Sequence, residues 1–143
     1  MTIIAAVDAD KHAAAILEEA LSLARAYGET LHVVHAVPSV EFAEIQRKHV
    51  EAGGETLTRG GVARDHIETE LDSDLLTDTD VDVEFVGLDG EPAESIIDYA
   101  AEINARYIVL GGRGRSPAGK ALFGSVAQSV ILGAEAPVVV TSV

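Results

Sequence analysis

The chain predicts an α/β fold: a five-stranded parallel sheet with helices on both faces. Three observations carry this. The opening run Thr2–Val7 is continuously apolar, as in a strand buried on both sides. Strand-like and helix-like segments then alternate to the end of the chain, which calls for crossover connections and parallel pairing. Finally, polar or glycine residues follow the strands abruptly, Asp8 after the first and Gly111 after the fourth, where open α/β sheets hold ligands.

Asp8 and Asp10 close the first strand, and Asp10 is placed to cap a helix from Lys11 to Tyr27. Ile16, Leu17, Ala20, Leu21 and Ala24 make its apolar stripe, and Gly28 stops it. Leu31–Val37 reads as the second strand, ended by Pro38. Between 38 and 79 the periodicity weakens. A helix over 40–51 and another over 62–76 are expected, with Gly53-Gly54 and Gly60-Gly61 as mobile connections. Val81–Leu88 alternates as a strand with one wetter face. Pro92 opens a helix that buries Ile96, Ile97, Ala100 and Ile103. Tyr107–Leu110 is the fourth strand, Gly124–Leu132 a helix, and Pro137–Ser142 the fifth strand. If the order reverses at the first strand, right-handed crossovers set it beside the fourth and bring Asp8 and Gly111 to one crevice.

At 143 residues, one domain over 1–143 is expected. Without cysteine there is neither a disulfide nor a thiol nucleophile. The apolar start is too short for a membrane span or a secretory leader, so a cytoplasmic location is the expectation. Net charge is −14, with Asp and Glu abundant and lysine restricted to Lys11, Lys48 and Lys120. A dense carboxylate surface of this kind suits concentrated salt and repels nucleic acid. The charge is uneven: from Tyr107 onward Arg113, Arg115 and Lys120 face a single acid, Glu135. A local anion site is therefore expected there.

Glycines lie in the same region. Gly111, two residues, Gly114, nine residues, then Gly124-Ser125 describe a turn stripped of side chains that returns to the start of a helix. Free amides and the positive end of a helix dipole hold phosphate in this way. Other motifs fall short. Gly114 to Lys120 approaches a P-loop, but Ala121 lacks the metal-binding hydroxyl and Pro117 interrupts the loop. Asp78, Asp80 and Asp82 imitate a calcium loop whose sixth and twelfth positions, Val83 and Asp89, are wrong for it. His32 and His35 point to opposite faces of a strand, and His12, His49 and His66 show no ligand spacing.

The glycine motif, with Tyr107-Ile-Val-Leu-Gly-Gly112 before it and Val126-Ala127 and Pro137-Val-Val-Val140 after it, resembles the universal stress protein family. Ile4–Asp8, His35–Pro38 and Gly90–Ile96 extend the resemblance along the chain. It implies a Rossmann-like sheet of order 3-2-1-4-5, a homodimer through the last strand, a protein partner that the residues do not identify, and a stress-response role. It also implies ATP as ligand, alone or with magnesium. By matching position, Asp8, Ala36 and Leu110 would meet adenine or ribose, with Gly111 beside the ribose. Gly114, Gly124, Ser125 and Val126 would hold the phosphates. The chain departs from the family pattern in three places: Asp8-Ala9-Asp10 in the first turn, Arg106-Tyr107 where an acid usually precedes the fourth strand, and the small Ala36. Dedicated catalysis is not expected, since no base is placed at the terminal phosphate. Two other readings remain open: a dimerisation module without ligand, and a receiver-like domain phosphorylated on Asp89.

Overall fold

A computed structural model describes residues 1–8, 12–71, 73–77, 79–112 and 124–142. The elements are β1 (Thr2–Ala6), α1 (Ala13–Tyr27), β2 (Thr30–Ala36), α2 (Ser39–Glu51), α3 (Arg59–Glu70), α4 (Ser73–Thr77), β3 (Val83–Leu88), α5 (Pro92–Glu102), β4 (Tyr107–Gly111), α6 (Ser125–Gly133) and β5 (Val138–Thr141). The five strands form one sheet in the order β3-β2-β1-β4-β5, every pair parallel. The order implied by the resemblance is the order observed.

Strand parity divides the core. Ile3, Ala5, Leu31, Val33 and Val109 pack under α1, α3 and α4 with Leu17, Leu21 and Ile67. Ile4, Val34, Ile108 and Leu110 pack on the other face against Ile96 and Ala100 of α5 and Ala127 and Val130 of α6. The continuous apolar character of β1 follows, since both of its faces are covered. Gly28 terminates α1 at φ 65°, with its own N–H and that of Glu29 donating to the last carbonyls of the helix. Asn104 closes α5 in the same left-handed region at φ 51°. At the opposite end of the sheet from the strand C-termini, Arg106 hydrogen-bonds Glu29 and lies over the Tyr27 ring at 4.5 Å.

The middle of the chain departs from expectation. The helix expected over 62–76 is two, α3 and α4, because the chain turns extended at Leu71. Gly60-Gly61 is not a mobile connection. Both residues lie in the first turn of α3, where Thr58 caps the helix by accepting from the Gly61 N–H at 3.1 Å. The reason is tertiary: a Cβ on Gly87 of β3 would meet the Gly60 carbonyl oxygen at 1.7 Å. The paired glycines let a helix backbone lie directly on a strand backbone. α1 begins at Ala13 after His12, and the expected cap, Asp10, lies outside the described residues. α2 buries none of its residues.

Candidate functional site

Beyond the C-terminal ends of β1, β2 and β4, at the reversal of strand order, lies a cleft of about 730 Å³. Ala6, Ala36 and Leu110 give it an apolar floor, and Val126 and Ala127 of α6 form part of its wall. Such a volume suits a small organic ligand. Gly111 pairs with Thr141 of β5, and the Gly112 N–H donates to the Thr141 carbonyl at 3.0 Å, so the end of β4 is anchored as it enters the cleft. Gly124 stands in extended conformation (φ −67°, ψ 163°) immediately before α6, whose first intrahelical bond is Gln128 N–H to Gly124 O. The amides of the preceding turn have no intrahelical acceptor, and the helix dipole makes that end attractive to anions.

Of the residues singled out in the sequence, Asp8, Ala36, Leu110, Gly111 and Val126 line this cleft. Ala36 and Leu110 are buried, while the Asp8 carboxylate is exposed at the rim. Gly124 and Ser125 are not among the lining residues but start the helix that contributes Val126. Gly114 lies outside the described residues, as do Arg113, Arg115 and Lys120.

Sequence reasoning passed over the histidines. His35, the one buried polar or charged side chain among the described residues, donates from Nδ1 to Val7 O at 2.8 Å; because a carbonyl only accepts, Nδ1 carries the proton. The same nitrogen is 3.4 Å from an Asp8 carboxylate oxygen. The His66 ring stacks on that of His35 with centroids 5.4 Å apart, and His12 also lines the cleft. Strand parity was the available signal, since His35 shares the face of Leu31 and Val33. What parity could not give was the approach of α3, which brings His66 over. The opposite-face expectation for His32 holds. It bonds Glu84 through Nε2 and the Tyr99 hydroxyl through Nδ1, both at 2.7 Å.

Arg59 clamps the end of β2 to the start of α5. Its Nε donates to Val37 O at 2.8 Å and its Nη2 to Glu91 at 2.7 Å, while the Ser39 amide donates to the same Glu91 oxygen at 3.1 Å. The Arg59 hydrogen bond, followed by that from Ser39, holds the Glu91 carboxyl below its ordinary range. A carboxyl depressed in the fold contributes stability above its unfolded value, about pH 4.3, which is lost as pH falls through the folded one. Glu91→Gln is therefore expected to flatten the dependence of melting temperature on pH below about 4.3, as read by thermal denaturation. An unchanged acid limb would show that the clamp does not contribute.

Asp89 ends β3, and its carboxylate accepts from the Gly60 N–H at 2.6 Å. A receiver-type sheet sets its third strand next to the first at the switch point. Here β2 separates the two, and Asp89 lies toward the sheet edge. Among the described residues, no group of three histidines or acids converges to hold a metal, and no helix is long and apolar enough to cross a membrane.

Comparison with known proteins matches residues 1–142 to the universal stress protein family. A Thermus aquaticus protein described as a universal stress protein is 31% identical, over 96% of this chain and 95% of its own length. The Bacillus subtilis stress response protein NhaX is 40% identical over 44% of this chain, a match spanning only 36% of NhaX. Among solved structures, a universal stress protein from Archaeoglobus fulgidus superimposes with a TM-score of 0.62 at 31% identity, covering 98% of this chain and 97% of that one. A universal stress protein from the same organism, solved in complex with dAMP, gives 0.59 at 27% identity, covering 98% and 96%.

Proposed function

The chain belongs to the universal stress protein family, and on that premise we propose that it binds an adenine nucleotide, ATP, in the cleft beyond β1, β2 and β4. In this reading nucleotide occupancy alters partner choice or dimer stability in a stress response. The supporting observation is the coincidence, in one concavity, of an apolar floor, a rim carboxylate and a glycine strand end, with the first turn of α6 entering its wall through Val126 and Ala127. Ala36 and Leu110 offer a surface for a purine, and Asp8 offers an acceptor for ribose hydroxyls. Gly111 leaves room for the sugar, while the amides around Gly124, Ser125 and Val126, with those around Gly114, receive the phosphates. These residues fit the ligand by their donor chemistry, and magnesium would accompany the phosphates rather than occupy a protein cage. The dAMP complex of the Archaeoglobus protein supports the choice of adenine.

Among the described residues β5 pairs only with β4, which leaves its outer edge, carrying Val138, Val139 and Val140, to a second copy in a homodimer. Protein purified in molar salt and then denatured is expected to release an adenine nucleotide. No released nucleotide, together with no calorimetric heat from ATP, ADP or AMP, would leave only the dimerisation module. Ser125→Ala is expected to weaken ATP by about 1 kcal/mol through loss of one hydroxyl hydrogen bond. Equal affinity in that variant would leave the backbone amide as the contact at this position.

A further inference from the structure

The two strand histidines of β2 are in different situations. Both ring nitrogens of His32 are engaged by side chains, Tyr99 and Glu84, away from the cleft. His35 is buried beside the cleft; its Nδ1 donates to Val7 O at 2.8 Å and lies 3.4 Å from a carboxylate oxygen of the next residue, Asp8. Its ring is held from the α3 side by the stacked His66. Burial and stacking restrict rotation of the imidazole. The proton on Nδ1 therefore stays directed at Val7 O, one residue before Asp8.

We propose that His35 is a positioning residue for ribose recognition: its Nδ1–H ties down the backbone at Val7 and keeps the neighbouring Asp8 carboxylate where it accepts from the sugar hydroxyls of a nucleotide. The inference rests on the nucleotide reading above. Asp8 alone, exposed at the rim, has its χ1 and χ2 freedom to lose on binding. A donor fixed behind it reduces that loss and biases one carboxylate oxygen inward. His35 touches no part of the ligand in this arrangement; it acts through Asp8.

Geometry supplies a selective test. Asparagine sets its amide nitrogen at the place of Nδ1, whereas glutamine sets it at the place of Nε2. The affinity of each protein for ATP, 2′-deoxy-ATP and 3′-deoxy-ATP is measured by calorimetry, with circular dichroism as the check on folding. The native protein is expected to lose about ten-fold in affinity when the recognised hydroxyl is removed. His35→Asn keeps that penalty, and His35→Gln reduces it to near unity. In an Asp8→Asn background, His35→Gln changes the penalty no further. If His35→Gln keeps the full penalty, or if native protein binds ATP and both deoxy forms equally, the positioning role is overturned while nucleotide binding stands. If native protein binds none of the three, the nucleotide reading falls and this inference falls with it.

Discussion

Gly87→Ala is expected to destabilise the protein by about 3 kcal/mol, the upper end for overpacking a filled interior, far more than a single methyl group suggests. The added Cβ would stand 1.7 Å from the Gly60 carbonyl oxygen and 2.7 Å from the Arg64 nitrogen. Both obstacles are backbone within one helix, so no rotamer change relieves them. The whole of α3 must lift from β3. Gly60→Ala is the milder counterpart, because its Cβ meets the Asp89 carboxylate at 2.8 Å and the Gly87 carbonyl at 2.9 Å. Urea denaturation measures both, and the order Gly87 above Gly60 is the point at issue. Equal and small losses would mean that α3 shifts without resistance. The site is involved too. Gly87 pairs in register with His35, and α3 carries His66, so lifting the helix separates the stacked rings.

Val126→Asp separates ligand binding from folding by moving them in opposite directions. Val126 is 38% exposed, occupies the second helical position of α6 and lines the cleft. A carboxylate in the first turn of a helix favours the dipole, so stability is expected to hold or rise by about 0.5 kcal/mol. The same charge faces the proposed phosphate position. At an effective dielectric near 20, like charges a few ångströms apart oppose each other by about 3 kcal/mol, roughly a hundred-fold in affinity. Molar salt softens the effect, and Val126→Asn serves as the uncharged control. ATP affinity unchanged at low salt would put the phosphates elsewhere. A loss of affinity that accompanies unfolding would say nothing about charge, and for that reason the melting temperature is read alongside.

Much of the fold was legible because β1, β2 and β4 are buried on both faces and so announce themselves as apolar runs, while α1 and α5 bury one stripe and expose the rest. Capping chemistry gave their ends, with Gly28 and Pro92 where they were expected. The region 38–79 was harder for a stated reason. α2 buries nothing, so its periodicity is weak, and α3 opens on two glycines that read locally as a loop. Within the cleft, Asp8 and Gly111 were accessible through strand ends, and Ala36, Leu110 and Val126 through the family resemblance. The roles of His35 and His66 there, and of Arg59 nearby, were not, because a histidine without ligand spacing and an arginine before a glycine pair do not announce their tertiary partners.

The sequence by itself determined the alternation of elements, the strand parity that sends His32 and His35 to opposite faces, and the concentration of glycine and positive charge after β4. Those properties depend on neighbours within a few residues. Only the tertiary structure decided that Gly60 and Gly87 bring α3 onto β3, that His66 then covers His35, and that the imidazole proton is held by Val7 O with the Asp8 carboxylate beside it. Each of these is a contact across 25 or more residues, set by how closely two backbones approach, and no local pattern encodes that distance.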